Sequence, residues 1–228
     1  MSQQRQHRYR VEDNSDSVKN GNSHGHKKHA KNKGKKRLII AGALAVLIVC
    51  AGLLVVNLVS EVRERLFESQ YQLQYTEYVD KYSEEYNVDK VLIYSIINTE
   101  SHFDPNAESA VGAIGLMQIM PDTFTWLQTY SGADEVLDSS ALYDPETNIK
   151  YGVMFLDYLV DMYDSRSAVA AAYNAGFVVS EWLENPEYSD DGVNLKTTPY
   201  AQTTAYIEKV ETAYEMYSKL YFSTDETK

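Results

Sequence analysis

The order of polar and apolar positions divides this chain into a tail, an apolar run and a region of helical periodicity. Residues 1–37 are polar and show no apolar periodicity. Such a segment cannot bury enough surface to offset the entropy of ordering, so we expect a disordered tail. Residues 38–56 carry no charge, and as a helix they reach about 28 Å, close to the ~30 Å hydrocarbon core of a bilayer. We therefore predict a transmembrane helix over 38–59.

Beyond the apolar run, apolar residues recur at helical spacing for most of the chain. Residues 61–86 contain no Gly or Pro, which predicts a helical stalk over 60–83 that continues as the first helix of a domain over 84–221. Further helices are predicted at about 89–101, 121–130, 149–163, 168–175 and 206–221, with Val160 and Tyr221 on buried faces. No segment alternates like a strand, so the fold class is mostly α, and 222–228 form a short C-terminal tail.

Charge is distributed very unequally between the two sides of the apolar run. Residues 1–37 hold eleven Lys and Arg against three acidic residues, a net charge of +8. The chain totals 21 basic and 33 acidic residues, so ten basic and thirty acidic residues follow residue 37, a net charge of -20. The positive-inside rule predicts a cytoplasmic N-terminus and an extracytoplasmic remainder. A cleaved signal peptide is the alternative, but the 37-residue charged segment is long for one.

The tail and the apolar run offer few further binding possibilities. His24, His26 and His29 have a spacing that suits a metal chelate, but a solvated low-complexity segment is the favoured interpretation. The basic residues of 27–37 can bind anionic lipid headgroups, although their topogenic role already explains them, and no nucleic-acid partner is expected. Cys50 is the only cysteine and lies in the apolar run, so the outer part cannot form a disulfide and must fold on its core alone.

Glu100 is the ionisable residue with the most unusual predicted surroundings. It follows Ile96 and Ile97 by four and three positions, so it shares their apolar helix face and should be half-buried. It also lies in the last predicted turn, where the negative end of the helix dipole disfavours a carboxylate. Both effects raise its pKa, as a general acid requires. On spacing alone, however, an ordinary Glu at the edge of an amphipathic helix is the favoured interpretation.

Four segments in order resemble the motifs of one enzyme family. They are Glu100–Pro105 followed by Ser109 and Gly112–Thr123, Asp144–Ile149 with Gly152, Ala172–Gly176, and Pro199–Ile207. Through these segments, residues 84–221 resemble the lytic transglycosylases of the soluble lytic murein transglycosylase (SLT) type, members of the lysozyme-like superfamily. The resemblance implies a mostly α, lysozyme-like domain that acts on peptidoglycan.

The resemblance also implies a site with a single catalytic carboxyl group. Glu100 would be the acid and base that cleaves the β-1,4 bond between N-acetylmuramic acid and N-acetylglucosamine and closes a 1,6-anhydro ring. This chemistry is that of a polysaccharide lyase and requires no metal or cofactor. The implied substrate-binding residues are Ser109 near the reacting sugar, Met117 and Gln118 lining the saccharide groove, Tyr173 and Asn174 facing Glu100, and Gln202 in the closing motif.

The chain departs from the family pattern at two places. Gln202 stands where the family usually has Glu, which keeps hydrogen bonding but removes a charge that can influence Glu100. Phe177 follows Gly176 where a Pro or similar turn residue is usual, which indicates a differently shaped loop. The change at residue 202 permits a non-catalytic glycan-binding or scaffold protein as an alternative, whereas the intact Glu100 argues against it.

Other roles are open for several of these residues. A hydrolytic muramidase on the same fold would use Asp104 or Glu108 to position a water, although a turn-forming Asp and a solvated loop Glu are the preferred interpretations. Met117 is also a typical flexible core filler, and Tyr173 a typical half-buried helix packer. For both residues, the motif favours the site role.

The sequence therefore predicts a single-pass protein of the cell membrane with its catalytic domain on the outer face. Its expected partners are peptidoglycan strands and, through residues 38–59, the lipid bilayer. The -20 charge of the outer part would repel an anionic wall, so shape, hydrogen bonds and aromatic stacking are expected to supply the affinity.

Overall fold

The computed structural model describes residues 26–133 and 136–222 of the chain. Within it, the residues up to Glu61 belong to one compact unit and those from Val62 onward to a second. The side chains of His24, His26 and His29, and the last six residues of the predicted C-terminal tail, lie outside the part of the chain that is described. We describe each unit by itself.

Helix α1 runs from His26 to Gln70 and contains the predicted membrane span. Within the described residues, the stretch Gly34–Phe67 is long and apolar enough to cross a bilayer, with a mean hydropathy of 3.0 over its most apolar window. The prediction of a disordered tail up to residue 37 is wrong for residues 26–37, which are helical. Six of these twelve residues are Lys, a good helix former, so the helix of the apolar run extends into them.

The predicted uninterrupted stalk is wrong at residues 71–75, where the chain leaves the helix. Helix α1 ends at Gln70, Tyr75 has a left-handed backbone (φ 56°), and α2 then covers Thr76–Tyr86. The break places the ring of Tyr71 edge-on against Tyr217, with centroids 5.6 Å apart. In α2, Val79 is fully buried, so the domain core begins before residue 84.

Helices α3 and α8 form the centre of the second unit. Helix α3 covers Lys90–Ser101. Asp89 caps its N-terminus, because its carboxylate accepts a hydrogen bond from the Val91 N–H at 2.9 Å. Its residues 91–98 are all buried. Helix α8 covers Ala201–Tyr217 and continues as a π-helical turn over Ser218–Phe222. Tyr221 in that turn is 39% exposed, so its predicted burial is wrong.

The remaining helices surround this pair. They are α4 (Pro121–Tyr130), a 3₁₀ turn (Ser139–Tyr143), α5 (Pro145–Met162), α6 (Arg166–Ala175) and α7 (Val179–Leu183). Proline at the first position of α4 and α5 fixes their starts. Five consecutive small residues of α6, 168–172, are buried, and α6 packs against α8. The prediction that Val160 is buried is wrong, since it is 42% exposed in the last turn of α5.

Residues 104–120 form the long connection between α3 and α4. Ile114 pairs with Ile119 through two backbone hydrogen bonds of 3.0 and 3.1 Å. In the described part of the chain, extended pairing is limited to isolated bridges, of which two involve Ile114. The mostly α fold class is therefore confirmed.

Candidate active site

Glu100 lies in the last turn of α3, immediately before a sharp reversal of the chain. His102 and Phe103 follow it with positive φ angles of 51° and 67°, a conformation that costs free energy in residues other than glycine. The Phe103 ring is buried and holds the reversal in place. The backbone therefore leaves the helix directly below Glu100 and turns into the 104–120 connection.

Glu100 is half-buried, as predicted, and its surroundings favour the protonated form. Burial raises its pKa from 4.5 to about 7. Tyr206 of α8 donates a hydrogen bond to the Glu100 carboxyl, with 2.6 Å between the Tyr206 Oη and Glu100 Oε1 atoms. This bond lowers the pKa and so opposes part of the effect of burial. The carboxyl group is thus able to give and take a proton near neutral pH.

A buried asparagine holds the 104–120 connection against α5. Asn148 donates hydrogen bonds to the carbonyls of Ile114 and Leu142, at 2.9 and 2.8 Å, and accepts one from the Met117 N–H at 2.8 Å. Gly115 fits against this amide because it has no side chain: a Cβ there would lie 2.2 Å from Asn148 Nδ2. Ser101, next to Glu100, donates to the Leu116 carbonyl at 2.7 Å. These contacts fix the connection relative to the C-terminal end of α3, where Glu100 lies.

The prediction that the Met117 side chain lines a groove is wrong. Met117 is fully buried, and its sulfur occupies the space that Gly152 leaves open on α5, 2.2 Å from a Cβ placed there. Its backbone does reach the site, because the Met117 carbonyl accepts a 2.8 Å hydrogen bond from the Tyr173 hydroxyl. The methionine of this motif that reaches the surface is Met120, which is 38% exposed.

The connection itself is braced by two of the predicted binding residues. Gln118 has a left-handed backbone (φ 48°), and its side-chain amide donates to the carbonyls of Ala107 and Gly115, both at 3.0 Å. The Ser109 hydroxyl accepts a hydrogen bond from the Ala113 N–H at 2.9 Å. Both side chains are half-buried, so each shapes the connection while keeping some surface accessible.

Tyr173 and Asn174 lie at the end of α6, and the Tyr173 hydroxyl reaches the connection at the Met117 carbonyl. Burial and, to a smaller extent, the charge of Glu100 raise the pKa of Tyr173 well above its ordinary value. Asn174 is exposed and accepts a 3.0 Å hydrogen bond from the Thr203 hydroxyl of α8. Gln202 is exposed in the first turn of α8, one turn before Tyr206 and therefore on the same side of that helix.

The two acidic residues proposed to position a water have other partners. Asp104 is exposed and accepts a hydrogen bond from the Asn106 N–H at 2.9 Å, which forms a local turn. Glu108 is exposed and accepts a 2.9 Å hydrogen bond from the Tyr143 hydroxyl. Within residues 34–133 and 136–222, no group of three or more His, Cys, Asp or Glu side chains has an arrangement that could hold a metal ion.

Sequence reasoning missed Tyr206, Asn148 and Met120 as parts of this site. Tyr206 is one of several tyrosines on the buried stripe of α8, and its spacing alone predicts only packing. Asn148 is distinguished in the sequence by being a polar residue within the middle motif, at a position next to the buried Ile149. That signal indicates a structural hydrogen-bonding role. Met120 precedes Pro121, and its exposure follows from its place just before α4.

Comparisons with known proteins identify a family and relatives of this chain. The family model for the Transglycosylase SLT domain matches residues 77–192. The soluble lytic murein transglycosylase of Escherichia coli K12 is 34% identical over 161 residues, 69% of this chain and 25% of that protein. Membrane-bound lytic murein transglycosylase C of Actinobacillus pleuropneumoniae is 34% identical over 166 residues, 63% of this chain and 46% of that protein.

Solved structures of lytic transglycosylases are also similar to this chain. The 70 kDa soluble lytic transglycosylase of Escherichia coli superimposes with a TM-score of 0.61 and 29% identity, over 70% of this chain and 26% of that one. A second structure of this kind, in complex with bulgecin A, gives the same TM-score and identity. The present chain thus spans about a quarter to under half of the length of these relatives.

Proposed function

The chain belongs to the Transglycosylase SLT domain family, and on this premise we propose that it is a membrane-anchored lytic transglycosylase of peptidoglycan. The observation that carries the proposal is the half-buried Glu100, whose carboxyl group has a pKa of about 7 and a hydrogen bond from Tyr206. The proposed bond to be cleaved is the β-1,4 linkage between N-acetylmuramic acid and N-acetylglucosamine.

In the first step, Glu100 acts as the general acid. Its proton passes to the glycosidic oxygen, the bond from that oxygen to the anomeric carbon of N-acetylmuramic acid breaks, and the N-acetylglucosamine side leaves with a free hydroxyl. The N-acetyl group of the muramic acid stabilises the positive charge that develops at the anomeric carbon. Tyr206 stabilises the resulting Glu100 carboxylate through its hydrogen bond.

In the second step, Glu100 acts as the general base. The carboxylate accepts the proton of the muramic acid 6-hydroxyl, and the 6-oxygen bonds to the anomeric carbon to close the 1,6-anhydro ring. Glu100 ends protonated, as it began, and no water is consumed. A pKa near the working pH suits a group that must give and then accept a proton.

The contacts of Asp104 and Glu108 favour this reaction over a hydrolytic one. Hydrolytic glycosidases usually need a second carboxyl group, about 5–9.5 Å from the acid, to attack the sugar or to activate a water. Asp104 forms a local turn, and Glu108 is hydrogen-bonded to Tyr143. Both are exposed, which favours the turn and surface roles and leaves Glu100 as the one carboxyl group proposed to act.

The groove around Glu100 is proposed to be formed by the 104–120 connection together with α6 and α8. Gln118 and Ser109 contribute the accessible parts of the connection, and Met120 replaces Met117 as the proposed apolar contact. Asn174 and Gln202 contribute exposed amides from α6 and α8. These neutral groups suit hydroxyl- and amide-bearing sugars.

Membrane anchoring is proposed to occur through residues 38–59 of α1, with the N-terminus in the cytoplasm. The support is the apolar composition of the helix and the +8 charge of the preceding residues. Anchoring holds the domain close to the wall and raises its effective concentration there. The basic residues before the span are proposed to contact anionic headgroups.

The test is to incubate the full-length protein in detergent with purified peptidoglycan and to identify new sugar ends by mass spectrometry. The proposal predicts 1,6-anhydro-muramic ends, which are one water lighter than reducing ends. Glu100→Gln should abolish them, whereas Glu108→Gln, the same chemical change at an exposed carboxylate, should not. Reducing ends would indicate a muramidase instead, and full activity of Glu100→Gln would refute both enzymatic readings.

A further inference from the structure

Five aromatic side chains form a connected group across α4, α5 and the turn after α6. We call this group the aromatic ladder; it consists of Trp126, Tyr130, Phe155, Tyr158 and Phe177. Trp126 is at its centre, with ring centroids 5.0 Å from Tyr158, 6.2 Å from Phe155 and 6.5 Å from Phe177. Most of these pairs are edge-to-face, the arrangement that aromatic rings prefer.

The ladder is continuous with the candidate active site. The Phe155 ring lies 5.2 Å from the ring of Tyr173, whose hydroxyl binds the Met117 carbonyl and whose pKa responds to the charge of Glu100. A chain of ring contacts therefore leads from the surroundings of Glu100 outward to Phe177.

The outer end of the ladder is open to solvent. Tyr130 is 58% exposed and Phe177 is 49% exposed, while Trp126 and Tyr158 are half-buried. Large apolar side chains that cluster at the surface mark interaction sites more often than isolated ones do.

We propose that the aromatic ladder is an additional glycan-binding surface, which stacks against sugar rings of the substrate strand away from the bond that is cleaved. The proposal rests on the proposed function, because it takes the strand at Glu100 to be the strand that reaches the ladder. The ladder then recognises the length of the glycan strand and not the identity of the bond that is cleaved.

The chemistry of the surface suits a saccharide better than a protein or a polyanion. A pyranose ring has faces of C–H groups, which pack on the electron-rich faces of aromatic rings, and Tyr130 and Tyr158 add hydroxyl groups for the sugar rim. The part of the chain after residue 37 has a net charge of -20, so general electrostatic attraction cannot hold an anionic polymer. Contacts with the uncharged sugar faces can.

The experiment measures glycan binding by the full-length protein in detergent. Every protein compared carries Glu100→Gln, so that the strands stay intact. Purified uncrosslinked glycan strands are compared with disaccharide and tetrasaccharide fragments of the same material. Phe177→Ala is expected to weaken the binding of long strands about three- to tenfold, as for the loss of one aromatic contact, with a smaller effect on the shortest fragments. Phe177→Trp should restore long-strand binding.

The matched control is Phe222→Ala. Phe222 is 38% exposed and its ring lies 6.2 Å from that of Tyr94, but it lies outside the ladder. Its replacement should leave binding of every fragment unchanged. Equal weakening for all fragment lengths by Phe177→Ala, or no weakening, would overturn the proposal.

Tryptophan fluorescence distinguishes a sugar from a lipid occupant. Trp182 is buried and Trp126 is half-buried in the ladder, so the difference between the parent protein and Trp126→Phe reports on the ladder. Long glycan should protect Trp126 from acrylamide. Quenching of Trp126 by brominated lipid in nanodiscs, without protection by glycan, would assign the surface to the bilayer and overturn the proposal. If no anhydro ends form with the native Glu100 but length-dependent binding persists, only the proposed function fails.

Discussion

Replacing Glu100 by Gln is expected to stabilise the fold above neutral pH while it abolishes cleavage. The Glu100 carboxyl group is half-buried, which disfavours its charge, and Gln has a similar shape without that charge. The Tyr206 hydroxyl can donate to the Gln carbonyl oxygen as it does to Glu100 Oε1. The substitution therefore removes the cost of the buried charge and keeps the hydrogen bond.

The magnitude follows from the pKa of Glu100. Folding raises that pKa from 4.5 to about 7, which corresponds to about 3 kcal/mol in the free energy of unfolding at 1.36 kcal/mol per pH unit. Protonated Glu100 makes its full contribution to the free energy of unfolding below pH 4.5, and this contribution is lost as the pH rises through 7. Over that range the unfolded state releases the proton, whereas the folded state must either keep it or bear a buried charge. Gln does not titrate, so the advantage of the variant should be small near pH 4.5 and approach about 3 kcal/mol near pH 8.

The assay is urea unfolding of the full-length proteins in detergent at several pH values from 4.5 to 8. The fluorescence of Trp182, which is 5% exposed, reports on loss of the core. Because the comparison is between variants at each pH, titrations elsewhere in the chain cancel to first order. Glu108→Gln, the same change at an exposed carboxylate, should not reproduce the gain.

A difference between Glu100→Gln and the parent that does not grow with pH would refute this reasoning. It would mean that the folded state does not disfavour the Glu100 charge. The general-acid step would then lose its physical basis, whatever the products of the reaction are.

Four further substitutions, of which Gly112→Ala is a control, test the surroundings of Glu100. Tyr206→Phe removes a hydrogen bond that lowers the Glu100 pKa, so the alkaline limb of the pH–rate profile should move to higher pH; an unchanged limb would contradict this role. Gly115→Ala should cost more than 3 kcal/mol in thermal unfolding, because its Cβ would lie 2.2 Å from Asn148 Nδ2. Gly112→Ala, also at positive φ but in open space, should cost about 1 kcal/mol; equal costs would refute the steric argument. Asn148→Ala should lower the free energy of unfolding by about 3 kcal/mol, because it leaves buried carbonyls unpaired.

The sequence is sufficient where local interactions decide the structure. Helix α4 runs from Pro121 to Tyr130, as predicted, because a proline fixes its first turn. The bounds of α3 were predictable because Asp89 is a good N-cap and a helix cannot easily continue into a segment ending in Pro105. The half-burial of Glu100 follows from the same helical periodicity.

The sequence fails where distant residues decide the structure. The break after Gln70 depends on Tyr71 meeting Tyr217, which no local pattern reveals. Met117 is buried because Gly152 leaves space for its sulfur. The motif was recognisable in the sequence, but the direction in which this side chain points was not. The family pattern names candidate residues, but the packing of α5 and α8 decides which of their side chains reach the surface.

The hydrogen bond between Tyr206 and Glu100 also determines when during synthesis the site can be completed. Glu100 is translated 106 residues before its partner, and α8 is the last of the α-helices in the described chain. A nascent or truncated chain that lacks this helix leaves the Glu100 carboxyl group without its hydrogen bond and without the apolar cover that raises its pKa. A chain that ends before α8 therefore lacks the contact with Tyr206 that the proposed acid step uses.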